Sequence, residues 1–300
     1  MLPSVVLLTF LLFACVTGFL GSPAAMMLGQ DATPDAIAQI NRQYGFDRPI
    51  LTQYLDWLGR AVQGDFGRSY ASKQPVASML GGAIPVTLEF AAWAIGLAVA
   101  TSLILNSLVW ARRAVGAATG VLAVLGITVP NFILGTGLIY LFSVRLRWLP
   151  TTGWMPWSSG VGPHLLHLIM PVLTLSAFYF GSYTMVYRAS YRTVGRQTFV
   201  RVAQAKGLSE TEVSFRHVLP NAVLPVVTYV GISLGQLVGG AVVAESVFSI
   251  PGIGRLFVNA IGSYDFPVIL VVGMMILAGV MVMNVAVDIA YVVINPQLRA

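Results

Sequence analysis

Charged residues are scarce in this sequence. Only 9% of its 300 residues are Asp, Glu, Lys or Arg, whereas 57% are hydrophobic and the mean hydropathy is +0.80. A soluble domain carries roughly 25% charged residues, because its surface must interact with water. The scarcity of charge therefore excludes an ordinary soluble enzyme and predicts an integral membrane protein.

Cysteine and phosphate-binding motifs are also lacking. Cys15 is the only cysteine, which excludes an internal disulfide and a thiolate metal cluster; we expect it to be a small buried hydrophobe. The pattern G-x-x-x-x-G-K-[ST] does not occur, so the chain has no P-loop with which to bind ATP. We therefore expect a non-catalytic chain that has no metal or cofactor of its own.

Six apolar stretches approach or exceed the about 20 residues that a membrane-spanning helix needs. They are Leu2 to Leu20, Pro85 to Val109, Ala114 to Val144, His167 to Tyr187, Ala222 to Ala244 and Phe266 to Ile294. The sequence therefore predicts an all-α, polytopic membrane protein with six transmembrane helices. The third and sixth are long enough to tilt or to project into loops, and Pro130 should kink the third.

The distribution of basic residues predicts the orientation. The net charge of +6 comes without a basic patch rich in aromatic residues, which argues against nucleic acid and for cytoplasmic loops beside anionic lipid. Basic residues follow the second, fourth and sixth stretches: Arg112, Arg113, Arg188, Arg192, Arg196, Arg201, Lys206, Arg216 and Arg299. Both termini should therefore be cytoplasmic, although the external pair Arg145 and Arg147 runs against the trend.

Residues 21–84 should form an external segment, because five aspartates balance their five basic residues. Thr33 can cap a helix that starts at Pro34 and ends at Gly45. The apolar residues between Ile50 and Leu58 recur at helical spacing. We expect two short amphipathic helices on the outer membrane face. The first apolar stretch lacks the basic n-region of a signal peptide, so we interpret it as a retained membrane helix.

The stretch QAKGLSETEVSFRHVLP, Gln204 to Pro220, is unusually polar for its position between two apolar spans. Gly207 can end a helix in a left-handed conformation, and Ser209 with Glu212 forms the pattern of a capping box. Pro220 and Pro225 should fall near the start of the fifth span, where proline is tolerated. A charged, solvated loop is the simpler interpretation, but the ordered signals favour a rigid two-helix docking element.

This stretch resembles the EAA loop of ABC importer permeases, whose pattern is EAA, three residues, Gly, nine residues and Ile-x-Leu-Pro. Ala203, Gly207, Leu219 and Pro220 match, whereas Arg201, Val202 and His217 depart from it. The resemblance to the dipeptide, oligopeptide and nickel permeases extends along nearly the whole chain. It includes QYGFDRPILTQYLDWLGRAVQGDFGRSY, IPVTLEFA, RLRWLPTTG, AESVFSIPGIGRLFVNAI and INPQLR.

The resemblance implies a type I ABC importer permease of the bacterial inner membrane. It implies a single permease domain over 1–300, with a first transmembrane helix (1–20), the external segment (21–84) and a five-helix core (85–300) that contains the coupling loop (188–221). It also implies four kinds of partner: a second permease, two cytoplasmic ATPases that bind ATP and Mg, an external binding protein and the bilayer. The residues expected to couple to the ATPase are Val202, Ala203, Lys206, Gly207, Leu208, Glu212, Leu219 and Pro220.

Polar residues within the apolar stretches are candidates for a translocation pathway or gate. They are Asn131, Thr228, Ser233, Gln236, Glu245 and Asp288. For Glu89 and Glu245, near the outer ends of their spans, capping and interfacial solvation are equally good interpretations. A proton-coupled secondary carrier would use such acids and is the alternative function. The solute stays open among dipeptides, oligopeptides, nickel and glutathione.

Two further patterns favour structural interpretations. Gly231, Ser233 and Gly235 spell the G-x-S-x-G of a hydrolase, but the motif needs a preceding strand and a histidine partner. Gly231, Gly235 and Gly239, like Gly116 and Gly120, instead repeat at the spacing that allows close helix packing in lipid. His164 and His167 lack a third ligand, so we expect an interfacial hydrogen-bonded pair rather than a metal site.

Overall fold

The computed structural model describes residues 2–19, 23–28, 33–108 and 113–294. Its helices are α1 (Leu2–Phe19), α2 (Pro23–Leu28), α3 (Pro34–Tyr44), α4 (Ile50–Val62), α5 (Val76–Leu108), α6 (Arg113–Thr128), α7 (Asn131–Leu138), α8 (Val161–Gly195), α9 (Thr198–Ala205), α10 (Glu210–Val213), α11 (Leu219–Val247), α12 (Ile253–Gly262) and α13 (Phe266–Ile294). The only β pairing within these ranges is an isolated bridge between Arg68 and Pro75. The predicted all-α class is confirmed.

Four helical segments among the described residues are long and apolar enough to cross a membrane. They are Val76–Ser107, Val161–Gly195, Glu210–Gly235 and Phe266–Met283. A fifth span results if Gly116–Thr128 and Asn131–Arg145 are taken as one broken span. Val5–Gly18 is a shorter apolar helix. Helices therefore occupy all six predicted stretches, whereas the count of six spans stays a prediction.

The break at Pro130 is larger than the predicted kink. The helical segments on its two sides meet at 109°, and α7 begins directly after Pro130. Proline donates no N–H and disfavours helical backbone at the preceding residue, which is Val129. Beyond α7 the chain continues as a π-helical turn, Ile139–Arg145. The predicted change of direction at Pro130 is present, but it separates two helices rather than kinking one.

The chain divides into two compact units, residues 1–87 with 251–281 and residues 88–250 with 282–300. In the first unit, α1 packs against α4. Thr9 Oγ1 lies 2.8 Å from the Tyr54 hydroxyl, and Phe13 contacts the Tyr54 ring edge to face. Cys15 is exposed, contrary to our expectation, because α1 buries the face that carries Phe13 and Val16.

The two predicted helices of the external segment are present. Thr33 Oγ1 accepts a hydrogen bond from the Ala36 N–H at 3.3 Å, and Pro34 is the first residue of α3. Gly45 ends α3 with a φ of +70°. The second helix, α4, buries Tyr54. Capping residues and apolar spacing were therefore sufficient to predict both helices.

A buried carboxylate, Asp265, fixes the end of the external segment within the first unit. Asp265 is 3% exposed and accepts hydrogen bonds from the Ser69 hydroxyl and from the N–H groups of Tyr70 (2.9 Å) and Ala71 (3.4 Å).

Burial, with smaller effects from Tyr44 and Asp265, raises the pKa of Tyr70 to about 12. The Tyr70 phenol is therefore neutral at physiological pH.

Close helix packing occurs in the second unit, at glycines other than those predicted. A Cβ on Gly126 would clash with the Ala177 carbonyl, and one on Gly181 would clash with the Ala123 carbonyl. α6 and α8 thus approach almost backbone to backbone. By contrast, a Cβ on Gly239 would meet nothing within 4 Å, so packing within the described part of this chain does not explain that glycine. Gly120 faces the side chain of Arg188 rather than a helix backbone.

Candidate functional site

The polar segment between α8 and α11 is structured, with Gly207 at its turn. α9 ends at Ala205, and Gly207 adopts a φ of +82° while its N–H donates to the Gln204 carbonyl at 3.0 Å. A side chain at this φ is strained, whereas glycine adopts it freely. The predicted glycine turn is confirmed.

The predicted capping box is also present. Ser209 Oγ accepts from the Glu212 N–H at 3.3 Å, and Glu212 Oε2 accepts from the Ser209 N–H at 3.3 Å. These two bonds satisfy N–H groups that would otherwise lack a partner at the start of α10. The direction of the chain after Gly207 is therefore set by local hydrogen bonds.

The second helix of the predicted docking element is continuous with the fifth apolar helix rather than separate from it. α10 passes through a π-helical turn, Ser214–Val218, directly into α11. Pro220 lies in the first turn of α11, directly after the π-helical turn, and Pro225 lies inside the helix. Neither proline ends the helix. The segment is therefore joined rigidly to the following apolar helix.

A small apolar core holds this segment together. Val200 and Ala203 of α9 pack with residues of the π-helical turn, α10 and α8; the buried members are Val194, Val200, Ala203, Val213 and Val218. The Tyr191 hydroxyl of α8 donates to Ser214 Oγ at 3.1 Å. Residues 198–218, which we name the docking element, are therefore fixed to the ends of both α8 and α11.

The predicted coupling residues differ in exposure, and all but Leu219 and Pro220 lie in the docking element. Val202, Lys206, Gly207, Glu212 and Pro220 are exposed, Leu208 and Leu219 are half-buried, and Ala203 is buried. Two residues that sequence reasoning missed, Phe199 and Phe215, are also exposed, at 40% and 49%. The sequence pattern that could have indicated them is the presence of two aromatic residues in a largely polar segment. Exposed apolar side chains on a rigid, basic element are typical of a docking surface.

The candidate pathway residues whose side chains the structure describes lie in α7 and α11. Thr228 and Ser233 of α11 donate to the carbonyls of Leu224 and Tyr229, one turn earlier in the same helix. Glu245 of α11 is completely buried, which argues against interfacial solvation. Asn131 begins α7 and is half-buried. The side chains of Gln236 and Asp288 lie outside the described residues.

Sequence reasoning missed a buried polar network that joins α5, α6 and α8. Arg188 Nε donates to Asn106 Oδ1 at 3.0 Å, and Arg188 Nη2 donates to the Gly116 carbonyl at 2.7 Å. Asn106 Nδ2 also donates to Thr184 Oγ1 at 3.2 Å. These partners are between 72 and 82 residues apart in the chain. No local pattern could therefore have linked them.

His164 and His167 do not form the hydrogen-bonded pair that we predicted. His164 is buried; its Nε2 lies 2.9 Å from Glu89 Oε1 and its Nδ1 lies 2.5 Å from the Met155 carbonyl. Trp157 Nε1 donates to the same Glu89 oxygen at 2.7 Å. His167 instead contacts the Pro163 carbonyl one turn earlier. Within the residues that the structure describes, no three or more potential metal ligands lie together.

Comparisons with known proteins match the whole length of the chain. Residues 94–300 match the family model of the binding-protein-dependent transport system inner membrane component, and residues 1–91 match the N-terminal model of such membrane components. The chain is 36% identical over 281 residues to a probable peptide ABC transporter permease of Sinorhizobium fredii, covering 93% of this chain and 90% of that protein. It is also 36% identical over 303 residues to the glutathione transport system permease GsiC of Escherichia coli K12, covering 100% of this chain and 96% of that protein.

A solved structure gives a match at the level of the fold. A chain in the crystal structure of an amino acid ABC transporter with histidines has a TM-score of 0.56 and 13% sequence identity, covering 71% of this chain and 92% of that chain. At this identity the likeness concerns the helical architecture alone.

Proposed function

This chain belongs to the family of binding-protein-dependent transport system inner membrane components, and from this premise we propose that it forms half of an import pathway for dipeptides or oligopeptides. The chain is a permease subunit of an ABC importer. Its relatives are named as permeases for peptides and for glutathione. These names support a short peptide as the transported solute. A glutathione importer is the second candidate, and the proton-coupled carrier is not favoured.

The proposed partners are a second permease, two ATPases on the cytoplasmic side, which bind ATP and Mg, and an external binding protein. The proposed location is the bacterial inner membrane, with residues 198–218 in the cytoplasm. ATP hydrolysis is then carried out by the partners, and this chain contributes no catalytic group.

The docking element carries the proposal. It presents exposed apolar residues, Phe199, Val202 and Phe215, and its own small core keeps α9 from moving independently of α8 and α11. A partner that moves this surface would therefore move the two apolar helices with it. This is the geometry that a mechanical link between ATP hydrolysis and a membrane pathway requires.

Gly207→Pro tests the mechanical link. Proline fixes φ near −65°, far from the +82° of Gly207, and it removes the N–H that bonds to Gln204. We expect the variant to reach the membrane and to lose the ATP hydrolysis that loaded binding protein stimulates. The measurement is stimulated hydrolysis by the complete transporter in proteoliposomes.

Gly64→Pro is the matched control. Gly64 also has a φ of +82°, and its N–H donates to the Ala61 carbonyl at 3.0 Å, so proline creates the same backbone conflict in the external segment. Gly64→Pro should retain stimulated hydrolysis. Full stimulation in Gly207→Pro, or equal loss in both variants, would contradict a specific role for the docking element. The solute is tested separately, by identifying what the copurified binding protein carries.

A further inference from the structure

A cavity of about 710 Å³ lies between α6 and α8 in the second unit. Its lining is basic at one side, where Arg188 and Arg192 lie one turn apart on α8. Elsewhere the lining is apolar, and four of its side chains are 39% to 59% exposed: Val121, Val124, Leu125 and Met185. The cavity therefore combines two positive charges with an uncovered apolar surface.

Arg188 is fixed in this cavity by its surroundings. Two of its nitrogen atoms donate to Asn106 and to the Gly116 carbonyl. Its third, Nη1, lies beside Gly120, where a Cβ would come within 2.7 Å of it. Glycine at position 120 thus leaves space for the guanidinium group. The arginine is positioned before any ligand binds, which reduces the cost of ordering it.

The charges of the cavity are not balanced by its own residues. No Asp or Glu lines it, and neither arginine forms an ion pair within the part of the chain that the structure describes. Two guanidinium groups beside apolar side chains are complementary to an anion that carries hydrocarbon. An apolar helix of another protein would instead bury the arginines without a counter-charge, which is costly.

The position of the cavity agrees with this chemistry. The predicted fourth span ends at Tyr187, and Arg188 is the next residue, so the arginines fall at the boundary between hydrocarbon and headgroups on the side predicted to be cytoplasmic. Basic pockets between transmembrane helices at this boundary bind anionic headgroups. We propose that the cavity binds an anionic phospholipid, with its phosphate at Arg188 and Arg192 and an acyl chain along Val121, Val124 and Leu125.

Native mass spectrometry of the complete transporter tests the proposal. The detergent-solubilised complex is titrated with phosphatidylglycerol or with phosphatidylcholine, and retained lipid is counted on the intact complex. Phosphatidylglycerol should be retained in preference to phosphatidylcholine, and Arg192→Gln should reduce that retention about fivefold. Because Arg192 is exposed, the complex should still assemble, and the same spectrum reports its assembly.

Two variants separate a built site from general charge attraction. Arg196 directly follows the end of α8, and it is exposed but does not line the cavity. Arg196→Gln therefore removes a nearby positive charge and should leave the retention of phosphatidylglycerol unchanged. Val124→Trp keeps both arginines but fills the apolar part, so it should reduce retention as Arg192→Gln does. Glycerol phosphate, which lacks acyl chains, should not compete.

Three results would overturn the proposal: equal retention of the two lipids, equal loss in Arg192→Gln and Arg196→Gln, or unchanged retention in Val124→Trp. With Val124→Cys, a cross-link from that position to another protein subunit in the resting transporter would also overturn it, because protein rather than lipid would then cover the cavity.

Discussion

Gly126 and Gly181 lie where α6 and α8 approach each other closely. Each lies against a carbonyl group of the opposite helix, and backbone cannot shift as readily as the end of a flexible side chain. In lipid, helix association depends on close packing and not on the hydrophobic effect. These two positions therefore contribute to stability through the absence of a side chain.

Gly181→Ala should destabilise the protein. The added methyl group would clash with the Ala123 carbonyl and lie 2.8 Å from Ile127 Cγ1, and overpacking of this kind costs about 1–3 kcal/mol. Thermal unfolding of the purified transporter should show a lowered Tm. Gly239→Ala is the control: its methyl group meets nothing within 4 Å, and alanine favours helix by about 1 kcal/mol. A Tm that falls equally in both variants would show that steric contact at Gly181 is not the cause.

Single residues also show what sequence could predict. Thr33, Gly45, Gly207 and the pair Ser209 with Glu212 act on backbone within four residues of themselves, so their local patterns were sufficient. The bonds of Arg188 to Asn106 and Gly116 join residues 82 and 72 apart. Such partners depend on how the helices pack, and the sequence of any one helix does not contain that information.

At the scale of elements, the extents of the helices differ from those of the apolar stretches. α8 runs from Val161 to Gly195, beyond the predicted 167–187 at both ends. At its C-terminal end, polar and basic residues continue the helix past the apolar stretch. Proline was the weakest guide: Pro130 ends a helix, whereas Pro85, Pro171 and Pro225 lie inside helices. Neighbouring helices can satisfy the carbonyl groups that such prolines leave free.

The contact of Asp265 with the loop 69–71 predicts how the external segment is anchored to the start of α13. Asp265→Asn removes the negative charge that accepts bonds from Ser69, Tyr70 and Ala71. Hydrogen bonds to a buried charge contribute about 1.5–3 kcal/mol, so local opening should become at least roughly tenfold more frequent. We expect trypsin added outside the membrane to cleave at Arg68 or Lys73 correspondingly faster.

Asp56→Asn is the matched control for this experiment. Asp56 forms an exposed ion pair with Arg48 at 3.4 Å, and such pairs contribute at most about 1 kcal/mol. Cleavage at Arg68 and Lys73 should therefore be nearly unchanged. If Asp265→Asn is cleaved no faster than Asp56→Asn, the buried carboxylate does not hold the segment.

At the scale of the whole molecule, the bend at Pro130 leaves two topologies to distinguish. The stretch from α6 to Arg145 either crosses the membrane once or enters and returns to the same side. Trp157 and His164 both contact Glu89, which lies 19 residues before the end of α5 at Leu108. At 1.5 Å per residue these two positions of α5 are about 30 Å apart, close to the thickness of the hydrocarbon core. The chain therefore returns from the level of Leu108 to the level of Glu89, which favours one crossing.

Cysteine labelling distinguishes the two topologies. Cys15 is the only cysteine and is exposed, so it is first replaced by alanine. Single cysteines then replace the exposed residues Gln63, Ser158 and Thr211, and intact cells are treated with a membrane-impermeant maleimide. With one crossing, positions 63 and 158 are labelled and position 211 reacts only after permeabilisation. With a re-entrant stretch, positions 63 and 211 are labelled, and position 158 reacts only after permeabilisation. We expect the first pattern, because it alone puts the basic docking element in the cytoplasm, where the positive-inside rule places it and where an ATPase can reach it.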